Sequence, residues 1–207
     1  RILGAPAPDG AYAQWKAFVA ANNIKAKQVT IENVGFPVRE PMLAAGEVDA
    51  ITGFSFSSFL NLKSKGVKEE DINMMLMSDY GLKLYGNTVI VNPDFAAENP
   101  QLVKGFVKAI IRGWMDTIAD PDSAIDHLME RNKIARRNVE LERLEMAIRD
   151  NVITAEVKER GFGDVEGKRL SESINQVGLT YDFSNKPTAA SVFTSEYLPT
   201  MSQRKVN

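Results

Sequence analysis

Through residues 1–85, short strand-like apolar runs alternate with helix-like stretches, and this alternation constrains the fold more than any other feature of the sequence. Strands separated by helices cannot pair as tight hairpins. They line up as a mostly parallel sheet with helices over its faces. "RILGA" (1–5) reads as the first strand and leads into the loop "PAPDG". In "AYAQWKAFVAANN", Tyr12, Trp15, Phe18 and Val19 recur at helical spacing, with Asp9 as N-cap and Asn22-Asn23 as the stop. "QVTIENV" (28–34) alternates, with Val29 and Ile31 on one face. "PVREPMLAAG" (37–46) reads as a helix ended by Gly46, "EVDAIT" (47–52) as a strand, and "SSFLNLKSKG" (57–66) as a helix ended by Gly66. "INMMLM" (72–77) has strand length, and its side chains are expected in the core.

"YGNTVIVN" (85–92) is β-branched, bounded by Gly86 and Pro93, and carries the strongest strand signal. Helices follow. Asn99 and Pro100 open "NPQLVKGFVKAIIRGWMDTIADP", in which Val103, Phe106, Val107, Ile110, Ile111, Trp114 and Ile118 form one apolar stripe. Asp120-Pro121 repeats the start signal for a helix with Ile125, Leu128 and Met129. "VELERLEMAIRDNV", "AEVKERG" and "DVEGKRLSESINQVG", the last starting near Asp164, read as three more. "KPTAASVFTSEYLP" reads as a short helical turn and a surface strap.

Several chemistries are disfavoured at the outset. With no cysteine there is no disulfide, thiolate metal site or Cys nucleophile, and the single His127 argues against a histidine metal site or triad. His127 itself reads as a surface or boundary residue beside Ile125 and Leu128. A formal charge of -2 gives no attraction to nucleic acid or an anionic membrane, and the basic run "ERNKIARRN" (130–138) is flanked by acidic segments. No apolar run approaches the roughly 18 residues of a membrane span. The chain opens "RILGAP" without Met, so the gene product is expected to begin earlier, with a signal peptide removed.

Ligands of parallel α/β sheets sit at the carboxyl ends of the strands, where helix N-termini offer free N–H groups. Three loops fall there. "GAPAPDGA" (4–11) has Gly4 and Gly10 for close backbone approach, with an ordinary Asp-capped turn as the alternative. It lacks the glycine and lysine spacing of a phosphate loop. "VGFPVRE" (34–40) carries Arg39, which either forks onto an anionic group or pairs on the surface with Glu40 or Glu47. Glu40 and Asp49 have no spacing that marks an acid/base pair. In "TGFSFSS" (52–58), Gly53 admits a ligand, the serines offer hydroxyls or caps, and Phe54 or Phe56 either stacks on a planar ligand or joins the core.

Taken together, "GAPAPDGA", "FPVREPMLAAGEVDAITGFSFSSFLNLKSKGVKEEDI" and "VNPDFAAENPQLVKGFVKA" resemble the solute-binding proteins of ABC importers. The branch is that of the thiamine-pyrimidine-precursor, taurine, alkanesulfonate and nitrate binders, and the resemblance covers roughly residues 1–180. It implies a type II periplasmic-binding-protein-like α/β fold, with two lobes that close on a ligand. Residues 1–85 would be the second α/β lobe, and 86–207 the crossover strand and helical C-terminal part of the first. The N-terminal half of that first lobe, which normally supplies one wall of the cleft, is not among these residues, and self-association through uncovered faces is expected.

By position, the resemblance implies that Pro8, Asp9, Gly10, Arg39, Thr52, Gly53, Phe54, Ser55 and Asn87 line the cleft. The implied function is capture of a small polar or planar molecule and its delivery to a membrane permease from the periplasm or an extracellular anchored position. No catalytic residue, cofactor, metal or nucleic-acid partner is implied. Pyrimidine, sulfonate, oxyanion and aromatic acid all remain open as ligands; Arg39 and the Asp9 loop tilt toward an anion, the phenylalanines toward a ring. Two rivals share the fold: the effector-binding domain of a transcription regulator, and a thiamine-pyrimidine biosynthesis enzyme. The latter uses an active-site histidine and a Cys-rich motif, which this sequence does not supply.

Overall fold

The structure, a computed structural model, describes residues 1–206. The chain forms two compact units. One holds Arg1–Leu84 with Glu172–Lys186; the other holds Tyr85–Ser171 and the C-terminal stretch from Pro187. The architecture is mixed α/β, with a small parallel sheet and many helices.

The first unit is built on three strands, β1 (Ile2–Ala5), β2 (Thr30–Asn33) and β3 (Ala50–Ile51), in the order β2-β1-β3 and all parallel. β1 is central because it is the most apolar: Leu3 and Ala5 are buried. Ile2 pairs with Thr30 on one side, and Leu3 with Ala50 on the other. Between β1 and β2 run α1 (Gly10–Ala13) and α2 (Trp15–Ala21). The sequence reads as one helix here. The break comes at Gln14, whose N–H turns back to the Ala11 carbonyl, tightening that turn. Asn23, at φ +53°, makes the expected stop. Ala17 and Phe18 of α2 pack with Leu82 into a core that Trp15, Ile24, Met77 and Leu84 extend.

α3 (Arg39–Ala44) packs on β1 and β3, and α4 (Ser55–Ser64) packs on α3. Both end where Gly46 and Gly66 take positive φ, as the sequence predicts. Residues 172–186 are tied to this unit by the Ser173 hydroxyl, which donates to the Lys83 carbonyl at 2.6 Å, and by Gln176, which bridges Gly81 and Lys83.

Residues 72–77 are not a strand. The segment is irregular and leads into a 3-10 turn at Met77–Tyr80, with Met74 and Met75 exposed rather than in the core. Residues 85–92, in the second unit, are not a ladder strand either; Ile90 is 89% exposed. The cause is the same in both cases. An apolar or β-branched run favours extended backbone, but a strand also needs a neighbouring backbone to pair with.

The second unit is helical: α5 (Pro93–Glu98), α6 (Pro100–Ala119), α7 (Pro121–Arg131), α8 (Arg137–Ala147), α9 (Ala155–Arg160), the first part of α10 (Gly167–Val177), and α11 (Ala189–Val192). Asn92 caps α5 through the N–H groups of Asp94 and Phe95. Asn99 stands at the N-cap position of α6, but its side chain donates backward to the Phe95 carbonyl instead of capping. Asp120 caps α7 as expected, accepting from Ser123 N–H at 3.0 Å. The apolar stripe of α6 is only partly covered: Val103 and Ile111 are buried, while Phe106 is exposed. His127 lies on the exposed side of α7. α8 continues into a π turn, Ile148–Val152. α10 begins at Gly167, later than expected, because the Glu166 carboxylate takes the N–H groups of Lys168 and Arg169.

Candidate ligand-binding site

The three parallel strands of the first unit deliver their following loops to one edge of the sheet. After β1, Pro6 is fully buried and Asp9 N–H closes a turn on its carbonyl. Asp9 then caps α1, its Oδ1 accepting from Ala11 N–H at 3.1 Å. Pro8 and Gly10, on either side, are exposed. The loop after β2 opens α3 with Arg39 and Glu40. The short step after β3, Thr52-Gly53-Phe54, opens α4 at Ser55.

Beneath these loops lies one buried polar cluster. Arg39 is 7% exposed and Glu40 3%. The Arg39 guanidinium donates from Nη1 to Asp9 Oδ2 (3.2 Å), from Nε and Nη2 to Glu40 Oε1 (3.1 and 2.7 Å), and from Nη2 to Ser58 Oγ (3.2 Å). Thr52 Oγ1 donates to Asp9 Oδ2 at 3.2 Å, and Ser58 Oγ to Glu40 Oε1 at 2.7 Å. Buried charges persist only when paired and hydrogen-bonded in this way. Burial pushes the Glu40 carboxyl up, but the hydrogen bonds from Arg39 and Ser58 outweigh it and hold the group below its ordinary value.

Gly53 lies directly on the cluster. A Cβ at this position would stand 2.3 Å from Ser58 Oγ and 3.1 Å from Arg39 Cζ, so only glycine fits. The next residue turns outward: the Phe54 ring is 53% exposed and stacks on Phe56, with centroids 5.6 Å apart. Phe36, 49% exposed, has Arg39 Cζ 5.8 Å from its ring centroid. Ser55 Oγ is buried without a hydrogen-bond partner among the described residues, and it does not cap α4, whose N-cap position is held by Phe54.

Of the nine residues singled out in the sequence, Asp9, Arg39, Thr52 and Gly53 therefore meet in one cluster. Pro8, Gly10, Phe54 and Ser55 belong to the loops above it. Asn87 lies in the second unit, exposed on the extended segment 85–92. Arg39 does pair with Glu40, but in the interior rather than on the surface. Asp49 stands apart, accepting from Arg1 and from Ile2 N–H. Glu40, Ser58 and Phe36 were not singled out by sequence reasoning. Glu40 was weighed as a surface partner of Arg39 and Ser58, in the second turn of α4, as one of several serine hydroxyls, but neither was placed in the site.

Among the described residues, no group of three or more His, Asp or Glu side chains could hold a metal ion, and no helix is long and apolar enough to cross a membrane.

Residues 1–124 match the family described as NMT1/THI5 like. The chain belongs to this family. The matched stretch includes all nine residues singled out above. Two relatives of the NMT1/THI5-like chain are named as binding proteins for small molecules. One is the riboflavin-binding protein RibY of Chloroflexus aurantiacus, 26% identical over 191 residues, covering 88% of this chain and 51% of the relative. The other is the formylaminopyrimidine-binding protein of Halalkalibacterium halodurans, 26% identical over 117 residues, covering 55% of this chain and 34% of the relative. The chain thus spans about half the length of the first and about a third of the second.

Proposed function

We propose that this chain is part of the extracytoplasmic solute-binding component of an ABC importer. It holds a flat, nitrogen-rich ring compound at the carboxyl edge of β1, β2 and β3. One observation carries the reading: the step from Thr52 to Ser55 turns an exposed aromatic ring outward above a buried polar floor, beside a serine hydroxyl that has no partner among the described residues. Aromatic walls with a few fixed polar groups are what a planar ligand requires. Phe54 and Phe36 are the faces on which the ring stacks, Ser55 Oγ is a hydrogen-bonding group for it, and Pro8 and Gly10 border it. The relatives, whose names specify a flavin and a pyrimidine, support the same ligand class.

We assign residues 1–85 to the second α/β lobe of a type II periplasmic binding protein, and the remainder to the crossover and the helical C-terminal part of the first lobe. The role is capture rather than chemistry, with a membrane permease as partner and the periplasm or outer surface as location.

Native mass spectrometry of the gently purified chain tests the reading first, followed by titration with riboflavin and with N-formylaminopyrimidine. A retained mass matching a heterocycle, or saturable binding of either probe that Phe54→Ala weakens, is the expected result. Absence of binding to any planar ring would overturn the assignment of the ligand class.

A further inference from the structure

We propose that Glu40 and Ser58, which lie too deep to touch a ligand, are positioning residues for it: through Arg39 they hold the Phe36 ring in place at the surface where the planar ligand stacks. The inference rests on the ligand-site reading above and adds the means by which one wall of that site is held.

Phe36 is 49% exposed, in a turn that Val38 N–H closes on the Gly35 carbonyl at 3.2 Å. An exposed ring with nothing to hold it moves among rotamers, and a ligand that stacks on it must still it. Immobilising one side chain on binding weakens affinity by a factor of about two to ten. A ring fixed beforehand avoids that loss. The Phe36 ring has the Arg39 guanidinium against it, with Cζ 5.8 Å from the centroid. Whatever fixes that guanidinium therefore helps to fix the ring.

Three partners from three parts of the chain fix it. Glu40 Oε1 accepts from Nε and Nη2, which sets the plane of the group. Asp9 Oδ2, in the loop after β1, accepts from Nη1. Ser58 Oγ, on α4, accepts from Nη2 and donates its own proton to Glu40 Oε1, closing a triangle of Arg39, Glu40 and Ser58. A hydroxyl can do both, having one proton and free lone pairs; alanine can do neither. Ser58→Ala leaves the guanidinium with two of its three partners. Glu40→Gln exchanges a charged acceptor for a neutral one, which weakens each bond it accepts. Ser58 is 9% exposed and Glu40 3%, so an effect of either on affinity is transmitted through the protein.

The test is a double-mutant cycle read in riboflavin affinity, by flavin fluorescence and calorimetry. Ser58→Ala alone is expected to weaken binding by about two- to tenfold. In a Phe36→Ala background the same change should have little effect, because the wall it holds is gone. Glu40→Gln should behave alike, and the cycle is read from whichever variant keeps the wild-type circular dichroism. A second readout needs no ligand. With 4-fluorophenylalanine incorporated at position 36, Ser58→Ala should shift or broaden the fluorine resonance, whereas Ser64→Ala, at the far end of α4, should not. An equal loss of affinity with and without the Phe36 ring assigns Ser58 to general stability and overturns the proposal. An unchanged fluorine resonance in a folded Ser58→Ala or Glu40→Gln chain also overturns it and leaves the ring-binding reading standing. Loss of the fold in both variants makes the two residues structural and overturns it as well. If neither riboflavin nor N-formylaminopyrimidine binds, the ring-binding reading falls and takes the positioning role with it.

Discussion

Replacing Gly53 with alanine adds one methyl group where the structure has no room for it. The new Cβ would lie 2.3 Å from Ser58 Oγ, with Arg39 Cζ and Nη2 at 3.1 Å. The backbone at Gly53 does not have positive φ, so the penalty is steric and not conformational. Relief requires Ser58 to swing away. It then loses its 2.7 Å bond to Glu40 and its 3.2 Å bond from Arg39, both buried. A hydrogen bond to a charged group is worth about 1.5–3 kcal/mol, and overpacking costs about 1–3 kcal/mol. The two are alternatives in part, since moving Ser58 relieves the clash, so the expected destabilisation is about 2–4 kcal/mol. A double-mutant cycle with Ser58→Ala isolates the cause, because alanine at 58 removes the atom that the new methyl strikes. The pair should be less destabilised than the sum of the singles by about 1–3 kcal/mol. The assay is urea denaturation followed by circular dichroism. A Gly53→Ala change of less than about 0.5 kcal/mol, or strict additivity with Ser58→Ala, would refute the packing argument.

Other expectations follow from the same geometry and from the second unit. Phe54→Ala removes an exposed ring and its stack on Phe56, so stability should fall by no more than about 0.5–1.5 kcal/mol while affinity for a planar ligand falls about tenfold; calorimetry and urea melts separate the two. Glu40 has its folded value depressed, so its stabilising contribution is present above the ordinary glutamate range and is lost as pH falls through the lower folded value. Melts between about pH 6 and pH 3 should therefore show a loss of stability that Glu40→Gln lacks. The Tyr85 hydroxyl is pushed up to about 12 by burial, with its hydrogen bond to Glu156 adding to the shift. Its contribution to stability is complete below about pH 10 and is lost as pH rises through about 12. Ultraviolet titration of the tyrosines should show one late phase, absent in Tyr85→Phe.

The parallel sheet was legible because its signals are local: apolar runs, the Asp9 cap, and glycines at 46 and 66 where helices must stop. The edge on which the candidate site lies followed from the sheet, and the family resemblance placed Asp9, Arg39, Thr52 and Gly53 along it. Their bonding was not legible, because it depends on the reach of Ser58 from the second turn of α4 and on the burial of Glu40, neither of which any spacing encodes. Residues 72–77 and 85–92 misled for a different reason. Met74, Met75 and Val89 to Val91 have the character of strand residues, but a ladder is a property of two segments, and one segment cannot announce its partner.

The Asp9, Arg39, Glu40, Thr52 and Ser58 contacts join segments as far apart in sequence as 43 residues, for instance Thr52 to Asp9. Ligand preference on this scaffold is therefore not a modular trait of one loop. A graft over residues 52–58 that replaces Ser58 would strand Glu40 without its hydroxyl donor, and one over residues 34–40 that replaces Arg39 would leave Asp9 without its guanidinium partner. Redesign of specificity here must move all three loops as one block, or confine itself to Phe36, Phe54 and the exposed positions that the cluster does not touch.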